Sequence, residues 1–403
     1  MNILLINHYA GSPQLGMEFR PYYMAKEWIQ LGHEVLIIGG SYSHLRKVQP
    51  QSCEEMIYGV RYRWVKLNSY KGNGVGRIIS MFSFVTKLYC NYRSYLRNFK
   101  PDIVIASSTY PLDIYPARRI ANHYKAKLVY EVHDLWPLSP MQIGGYSKYH
   151  PFIMLMQKAE NDCYRYCDKV VSLLANAFAH MKEHGLTEDK FVYVPNGVVM
   201  EEWNAGIKLN DNHSEVINDL HNSGFYILGY AGGHALSNAL DYLLDAMKLV
   251  KNKKIICLLV GKGQEKARLE ERAKIEHINN VLFLNPIAKV EIPSLLEQMD
   301  GLYIGWENNP LYQYGISPNK LIDYMMSRKP IIHSVNSTTD WVKEADCGIS
   351  VEAENVTAIA EAIDDLFSMN YPLYKAKGFK GRKYAMENMA YPILAKRFID
   401  CLE

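Results

Sequence analysis

A short segment in the C-terminal half, residues 314–330, carries the residues best suited to chemistry. Ser317 is predicted to cap the N-terminus of a helix whose first residue is Pro318. Lys320 then falls in the first helical turn, where the helix dipole disfavours a positive charge. This conflict indicates that Lys320 points at an anion, which the helix N-terminus also attracts. The segment therefore predicts an anion site with Lys320 as a catalytic cation.

The same helix indicates what this anion belongs to. Asp323 lies one turn after Lys320 and is predicted to share its face. Its carboxylate would accept hydrogen bonds from two ribose hydroxyls, so diphosphate and ribose together indicate a sugar nucleotide. The predicted donor-binding residues of this segment are Ser317, Asn319, Lys320 and Asp323. The alternative is a solvated lysine and a surface aspartate on an amphipathic helix, and the segment alone favours neither.

Glycines after two predicted strands offer a second part of such a site. Gly232 and Gly233 follow one strand, and Gly261 and Gly263 follow the next. A backbone without Cβ atoms can approach a phosphate closely, with the amides of the following helix behind it. All four glycines are predicted to bind the donor, although a glycine turn after a strand is common and is weak support alone.

A histidine follows a predicted strand in the N-terminal half. Residues 131–137 read Glu-Val-His-Asp-Leu-Trp-Pro, and open α/β sheets place ligand-binding residues at such strand ends. His133 is predicted to be catalytic, by bonding a sugar hydroxyl or the reacting centre, and Asp134 to orient it. The alternative is a structural histidine, which is the more common role for a lone histidine at a strand end.

Several motifs are absent from the sequence. It has no Asp-x-Asp pair to hold a divalent metal against a diphosphate, so no metal site and no cofactor are predicted. The charge of a leaving diphosphate would then be met by Lys320 and backbone dipoles. Gly-x-Ser-x-Gly and a Walker lysine loop are also absent, which disfavours a serine hydrolase and a P-loop kinase.

Length and composition describe the class of protein. A chain of 403 residues predicts two domains, and 48% hydrophobic with 22% charged residues is typical of a soluble globular protein. A net charge of +3 is too small to indicate nucleic acid as a partner. The seven cysteines are scattered, which favours free thiols in a reducing compartment. With no signal-peptide pattern and no apolar run of about 20 residues, a cytoplasmic location is expected.

The order of predicted elements defines the fold class. Strand, glycine loop, helix and strand open the chain, and apolar strands alternate with helical segments in both halves. This predicts an α/β protein with two Rossmann-like doubly wound domains that face a central cleft. The expected domains are 1–197 and 198–388, followed by a C-terminal segment, 389–403. Residues 208–223 are predicted to be a loop because they are polar.

Residues 61–97 interleave basic with aromatic and aliphatic residues. A basic amphipathic stretch of this kind is suited to an anionic membrane surface. The alternative is a helix that buries its apolar face on the sheet with its basic residues solvated. We expect a mixture, in which the helix packs on the sheet and its loop contacts lipid.

Taken together, the motifs resemble those of the family-4 retaining glycosyltransferases of GT-B fold, especially the branch that builds bacterial O-antigen and capsule and includes N-acetylfucosaminyl transferases. The matching segments are the glycine loop with Arg20-Pro21, 32–35, 132–137, 194–198, 230–234, and 317–320 through 329–332. By this resemblance Asp323 binds ribose, His133 contacts the donor sugar, and the last helix crosses back onto the first domain. Gly11, Arg20 and Asp134 are assigned to the acceptor or sugar.

The chain departs from the family pattern at the phosphate end of the site. Gly315 stands where the family has its first motif acid, and His234 and Asn238 occupy the region of the usual arginine and lysine. The phosphate role therefore falls on Lys320.

The resulting prediction is a retaining glycosyltransferase that needs no metal. It would move a sugar from a nucleotide-diphosphate donor, a UDP-sugar by expectation, to a polyprenyl-diphosphate-linked saccharide in surface polysaccharide biosynthesis. Its expected location is cytoplasmic and peripheral on the inner face of the membrane. The alternatives are a nucleotide-sugar epimerase or hydrolase of the same fold, and a catalytically silent GT-B scaffold subunit, for which Gly315 is the main argument.

Overall fold

The computed structural model describes residues 1–72 and 74–402 and divides the chain into two compact units. The first comprises Met1–Asn196, Tyr314–Ser317 and the segment from Tyr391 onward, and the second comprises Gly197–Gln313 and Pro318–Ala390.

An eight-stranded sheet forms the centre of the first unit, in the order β3-β4-β2-β1-β5-β6-β7-β8. Its strands are parallel except β3, which pairs antiparallel to β4. The central strands are runs of buried aliphatic residues, as expected for a parallel sheet covered on both faces. The strands are β1 (Asn2–Ile6), β2 (Glu34–Gly40), β3 (Glu54–Ile57), β4 (Val60–Val65), β5 (Ile103–Ala106), β6 (Lys127–Val132), β7 (Lys169–Ser172) and β8 (Phe191–Tyr193).

Helices from both ends of the chain belong to the first unit. The chain's last helix packs on its first: Trp28 Nε1 donates to the Ala395 carbonyl at 3.1 Å, and the rings of Trp28 and Phe398 are 5.1 Å apart. The helices are α1 (Arg20–Gln30), α2 (Val75–Tyr95), α3 (Ile114–Tyr124), α4 (Leu138–Gln142), α5 (Pro151–Tyr166), α6 (Phe178–Glu183) and, at the end of the chain, α16 (Tyr391–Asp400).

The second unit contains a six-stranded parallel sheet in the order β11-β10-β9-β12-β13-β14. Its strands are β9 (Tyr226–Gly233), β10 (Ile255–Lys262), β11 (Val281–Leu284), β12 (Gly301–Gly305), β13 (Ile331–Ser334) and β14 (Gly348–Val351). The helices are α7 (Met200–Asn204), α8 (Asp211–Asn222), α9 (Leu240–Leu249), α10 (Lys266–Ile275), α11 (Ile292–Glu297), α12 (Asn319–Met326), α13 (Trp341–Glu344), α14 (Val356–Ser368) and α15 (Tyr371–Asn388). The predicted fold class, two Rossmann-like α/β domains, is confirmed.

The predicted loop at 208–223 is wrong, because most of it forms α8. The Asn210 side chain caps this helix by accepting from the His213 amide, and Ile217 is fully buried. A single buried aliphatic side chain in a polar stretch gives too weak a periodicity to reveal the helix.

The basic stretch divides into two elements, and its first part is not a surface segment. Residues 60–65 form β4, which pairs with β2 in the sheet and buries Tyr62 and Trp64. Arg61 and Arg63 both bond the Glu54 carboxylate on β3. The alternation of basic and aromatic residues here is therefore the two-residue period of a strand.

The second part of the basic stretch is α2, a helix with one buried face. Phe84 and Leu88 are fully buried on the first unit's core, whereas Ile79 and Phe82 are exposed. In the described residues, none of the helices is both long enough and apolar enough to span a bilayer. The predicted packing of the helix on the sheet is thus confirmed. The predicted contact of this region with lipid stays a prediction.

This burial pattern generates a stability prediction for α2. Leu88→Ala removes a fully buried side chain and should lower the free energy of unfolding by about 2–5 kcal/mol. Ile79→Ala, on the exposed face of the same helix, should change it by less than about 0.5 kcal/mol. Urea denaturation of the full chain measures both, and equal costs for the two variants would contradict the assigned burial.

Candidate functional site

Lys320, on the first turn of α12, is a partly buried cation with neutral partners. Its Nζ donates to the Tyr230 hydroxyl at 2.8 Å and to Asn238 Oδ1 at 2.7 Å, and it lies 4.5 Å from the centre of the Tyr230 ring. Within the described residues no carboxylate forms an ion pair with it. Burial lowers the pKa of Lys320 to about 7, because removal from water disfavours the charged form. Such an ammonium group would be stabilised by an anion.

Strand β9 shapes the space that Lys320 occupies. A Cβ atom on Gly232 would lie 2.6 Å from Lys320 Cε and 2.9 Å from Nζ, so the glycine leaves room for the lysine side chain. Tyr230 and Asn238 each donate to the Gly233 carbonyl, at 2.6 and 3.0 Å, which fixes both partners of the ammonium group. The Ala231 amide donates to the Tyr324 hydroxyl at 2.7 Å and ties α12 to the strand.

The four predicted phosphate-binding glycines have different roles. Both Gly232 and Gly233 lie in β9 rather than in a turn after it. Cβ atoms on Gly261 and Gly263 would lie 1.9 Å from the Gly232 carbonyl oxygen and 2.0 Å from the His234 oxygen. These two glycines therefore serve close packing of the β9 and β10 ends. Gly233 has open space, since a Cβ atom there meets only the Lys262 carbonyl, at 4.0 Å. It is the glycine of this group that leaves room for a ligand.

His234 is a further buried group beside Lys320 that the sequence reasoning noted only as a departure from the family. Its side chain is fully buried, and neither ring nitrogen has a hydrogen-bond partner in the described part of the chain. Burial, then Lys266 and Lys320, lower its pKa to about 4, so the imidazole is neutral at pH 7. The sequence signal was its place directly after two glycines at a strand end.

Asp323 lies on a different part of the α12 surface from Lys320. It accepts from Trp203 Nε1 of α7 at 3.4 Å and is partly buried. Burial raises its pKa to about 6, although Lys289 and Trp203 act in the opposite direction. Lys320 contacts Tyr230 of β9, whereas Asp323 contacts Trp203 of α7, so the two residues have different partners. The ribose role of Asp323 stays a prediction.

The predicted cap of α12 is wrong. The helix begins at Asn319, which is exposed, and Pro318 stands at the cap position without a side-chain hydrogen bond. Ser317 belongs to the first unit instead: its Oγ accepts from the Asn196 amide at 2.8 Å and its carbonyl from Asn196 Nδ2 at 2.9 Å. The Ser317 hydroxyl thus accepts from Asn196, and its donor-binding role stays a prediction.

His133 lies in a buried polar network at the end of β6 in the first unit. Its Nε2 is 3.0 Å from Ser107 Oγ, and that hydroxyl donates to Glu131 Oε2 at 2.6 Å. Because the hydroxyl gives its one proton to the carboxylate, His133 Nε2 must donate to Ser107, which leaves Nδ1 to accept when the ring is neutral. Ser107 therefore bonds the ring, and among the described residues no hydrogen bond joins Asp134 to His133; the sugar contact of Asp134 stays a prediction.

Arg20 stabilises this network by bonding the Glu131 carboxylate. Its guanidinium is 3% exposed, bonds Glu131 Oε1 at 3.0 Å, and donates to the carbonyls of Pro195 and Val194. Burial alone would raise the pKa of Glu131, but Arg20, His133 and Ser107 together lower it to about 2. The sugar-binding role predicted for Arg20 is therefore corrected to a structural one, because its donors are directed into the protein.

Gly11 has a similar supporting role. A Cβ atom there would lie 1.9 Å from the Gly16 carbonyl oxygen, and the Gly11 carbonyl accepts from the Tyr62 hydroxyl at 2.8 Å. The loop after β1 thus folds back on itself at Gly11. The sugar contact predicted for this glycine is replaced by a packing requirement within the loop.

One group of side chains could hold a metal ion within the described parts of the chain. Ligand atoms of Glu160, His180 and His184 lie within 4.8 Å of one another in the first unit. Glu160 Oε1 is 3.1 Å from His180 Nε2 and accepts from the Tyr164 hydroxyl at 2.8 Å. The side chains of this group thus form hydrogen bonds with one another and with Tyr164.

Comparison with known proteins gives the class of this chain. Residues 16–202 match the family model Glycosyltransferase Family 4, and residues 226–369 match Glycosyl transferases group 1. No curated protein matches the sequence. The chain is a glycosyltransferase, and its two units carry two glycosyltransferase domains in a GT-B fold. The predictions of enzyme class and fold are thereby confirmed.

Solved structures share this fold at low sequence identity. Sucrose-phosphate synthase from Thermosynechococcus elongatus has a TM-score of 0.74 at 14% identity and covers 100% of this chain and 98% of its own. Anabaena HepE, solved in complex with UDP and glucose, has a TM-score of 0.68 at 13% identity over 100% and 99%. WaaG, a glycosyltransferase involved in lipopolysaccharide biosynthesis, has a TM-score of 0.66 at 15% identity over 99% of both chains. The comparison extends over both units.

The packing around Lys320 predicts opposite results for two neighbouring glycines. Gly232→Ala places a methyl group against Lys320 and should lower the free energy of unfolding by about 1–3 kcal/mol without any ligand present. Gly233→Ala meets open space and should change it by less than about 1 kcal/mol. Thermal and urea unfolding test the pair. If Gly232→Ala is tolerated as well as Gly233→Ala, then Lys320 does not occupy this space.

The Glu131 network predicts a pH-dependent stability difference. Glu131→Gln leaves the buried Arg20 charge without its partner and should cost about 3–5 kcal/mol at pH 7. The lowered pKa means that the carboxylate stabilises the fold fully above about pH 4.5 and loses this effect as the pH falls toward 2. The difference between wild type and variant should therefore shrink on acidification.

Glu183→Gln, an exposed control in the same unit, should match wild type at every pH. Urea denaturation between pH 3 and pH 7 measures all three proteins. A Glu131→Gln protein as stable as wild type at pH 7 would show that the ion pair does not hold the network.

Proposed function

We propose that this glycosyltransferase moves a sugar, with retention of configuration, from a UDP-sugar donor to a lipid-linked saccharide in surface polysaccharide biosynthesis. The second unit, from about residue 198 to 388, is the proposed donor domain. The first unit, 1–197 with the C-terminal helix, is the proposed acceptor domain. The O-antigen or capsule branch, with transfer of an N-acetylhexosamine, is the specificity we favour from the motif resemblance.

One observation carries the proposal: the Lys320 ammonium is buried among neutral groups at the end of β9. A diphosphate would supply the negative charge that the neutral protein partners of this cation lack. The adjacent backbone at Gly233 is open, and the first amides of α12 add a positive dipole end. This combination suits a phosphate better than a neutral sugar.

The proposed mechanism needs no protein nucleophile. As the bond between the sugar and the diphosphate breaks, negative charge grows on the leaving phosphate, and Lys320 stabilises it. The acceptor hydroxyl attacks from the same face, so its proton passes to the departing phosphate. His133, oriented by Ser107, is the proposed contact to the donor sugar and keeps Nδ1 as an acceptor for a sugar hydroxyl. Positioning and charge stabilisation supply the rate enhancement.

The comparisons support parts of this assignment. HepE was solved in complex with UDP and glucose, which supports a uridine nucleotide as the donor. WaaG takes part in lipopolysaccharide biosynthesis, which supports a surface glycan as the product. Sucrose-phosphate synthase shares the fold equally well, so the acceptor is proposed from the motifs and not from the fold.

The membrane part of the proposal depends on α2. Its solvent side exposes Ile79, Phe82 and Tyr89 beside basic residues of the same helix. Aromatic, aliphatic and basic groups together are suited to an anionic lipid surface. We propose that the enzyme is cytoplasmic and binds the inner face of the membrane peripherally through this side of α2.

The role of Lys320 is tested by nucleotide binding and sugar transfer. Lys320→Ala should weaken the Kd for UDP by about 10- to 100-fold and abolish transfer, because a charge-assisted hydrogen bond to phosphate is lost. Lys343→Ala removes an exposed lysine from the same unit and should bind UDP as wild type does. Calorimetry with UDP, and nucleotide release from UDP-sugars with and without lipid-linked acceptor, measure both properties.

Each alternative function predicts a different pattern in these assays. An epimerase or hydrolase turns over donor without acceptor, and a silent scaffold subunit binds no nucleotide at all. A Lys320→Ala protein with wild-type affinity for UDP and wild-type transfer would contradict the proposed role of the lysine.

A further inference from the structure

A second buried cation, Arg46, lies in the first unit on the loop after β2. Its side chain is 5% exposed, and its Nε and Nη1 atoms have no hydrogen-bond partner among residues 1–72 and 74–402. Its Nη2 donates to the Gly40 carbonyl, and the guanidinium lies 4.8 Å from the centre of the Trp64 ring. A buried charge without a counter-ion is costly, so the protein retains here a cation that its own groups do not neutralise.

Other basic groups gather around the same place. Arg77 Nε donates to the Tyr9 hydroxyl at 3.1 Å, and its guanidinium lies 5.3 Å from the centre of the Tyr9 ring. His44 Nδ1 is 2.8 Å from the Tyr70 hydroxyl, and its ring meets Tyr9 edge-on at 5.7 Å. Arg46 and Arg77 supply the positive charge of what we call the cationic cluster, to which the imidazole of His44 also belongs and which is lined by tyrosine hydroxyls.

His8 joins Arg46 to the other members of the cluster. A Cβ atom on Gly40, whose carbonyl Arg46 bonds, would lie 2.8 Å from His8 Cδ2, and the His8 ring stacks on Tyr9 at 4.3 Å. Burial, and then Arg46, Arg77 and His44, lower the pKa of His8 to about 3. Burial and Arg77 also lower the pKa of His44. Burial and the nearby arginines therefore both disfavour protonation of these imidazoles.

The carboxylate of Glu55 is engaged with groups other than Arg46. Glu55 acts on Arg46 electrostatically, but its oxygens accept from the amides of Gln51 and Ser52 and from Trp64 Nε1. In the part of the chain that the structure describes, Arg46 forms no ion pair with a carboxylate. The positive charge is thus available for an anion from outside the chain.

The cluster lies where a ligand would be expected in this fold. Tyr9 follows β1 and Arg46 follows β2, so both come after the carboxyl ends of parallel strands, where open α/β sheets bind ligands. His133 follows β6 at the same edge of this sheet. Arg77 and His44 are partly exposed and can be reached from solvent, with Arg46 behind them.

We propose that the cationic cluster of Arg46, Arg77 and His44 binds an anionic group of the acceptor, a phosphate, diphosphate or carboxylate. The inference rests on the proposed function, in which the first unit binds the acceptor, and adds that this acceptor is charged. Arg77 and His44 contact the anion, and Arg46 contributes charge from the interior. An acceptor without an anionic group would leave the buried charge uncompensated and bind more weakly.

The experiment measures stabilisation of the full chain by simple anions. Melting temperatures are recorded in pyrophosphate, in glucuronate and in chloride at matched ionic strength, for wild type, Arg46→Met, Arg77→Gln and Arg93→Gln. Arg93 is an exposed arginine on the same helix as Arg77 and serves as the charge-matched control. Pyrophosphate represents a lipid-linked diphosphate, and glucuronate represents an acidic sugar.

We expect at least one of the two anions to raise the melting temperature of wild type and Arg93→Gln by about 2 °C or more above chloride. Arg46→Met and Arg77→Gln should lose at least half of this rise. Without any anion Arg46→Met should melt no lower than wild type, because methionine removes an uncompensated buried charge at similar volume. If Arg46→Met is unstable, Arg77→Gln alone decides the result.

Two results would overturn the proposal. The first is an equal rise in all four proteins, which would place the anion elsewhere, for example at Lys320. The second is no rise above chloride in wild type. The failure of the proposed function is a separate observation, namely the absence of UDP binding to wild type. Arg46→Met should keep wild-type affinity for UDP, because the cluster and Lys320 belong to different units.

Discussion

The structure depends on one electrostatic constraint in its second unit: an ammonium group is buried, and the protein provides it only with neutral partners. Tyr230 and Asn238 hold Lys320 in position, and Gly232 leaves the room that its side chain needs. Desolvation without a counter-ion lowers the pKa of Lys320 to about 7. A bound anion would stabilise the charged form of this side chain. A leaving diphosphate is the anion that the proposed reaction presents.

The first unit treats its buried charges in two ways. Arg20 is neutralised by Glu131, and this closed pair supports Ser107 and His133. Within the residues that the structure describes, neither Arg46 nor Lys320 is paired with a carboxylate. Compensated charges therefore serve as scaffolding, whereas the two uncompensated cations mark where the substrates are proposed to supply negative charge: the donor diphosphate and an anionic acceptor. Only the partners of each charged group distinguish a compensated charge from an uncompensated one.

The sequence predicted much of the fold but less of the site. Buried aliphatic strands and the conflict between Lys320 and its helix dipole are local patterns, so they were visible. The sequence suggested that Arg20 binds a sugar, whereas in the structure it donates to Glu131 and to the Val194 carbonyl, both distant in the sequence. The sequence suggested that Ser317 caps a helix, whereas in the structure its hydroxyl accepts from the Asn196 amide. Gly261 and Gly263, which the sequence suggested as phosphate-binding glycines, are required by the close packing of the β9 and β10 ends. These errors share one cause, since each depends on a partner distant in the sequence.

The central claim is most directly tested by titrating Lys320 itself. The side-chain amine of this residue can be followed by NMR in wild type, with Lys320→Arg used to assign its signal. The account predicts a pKa near 7 in the free protein and a rise on addition of UDP, since the bound phosphate stabilises the charged form. A pKa near the usual 10.5 in the free protein, unchanged by UDP, would contradict it.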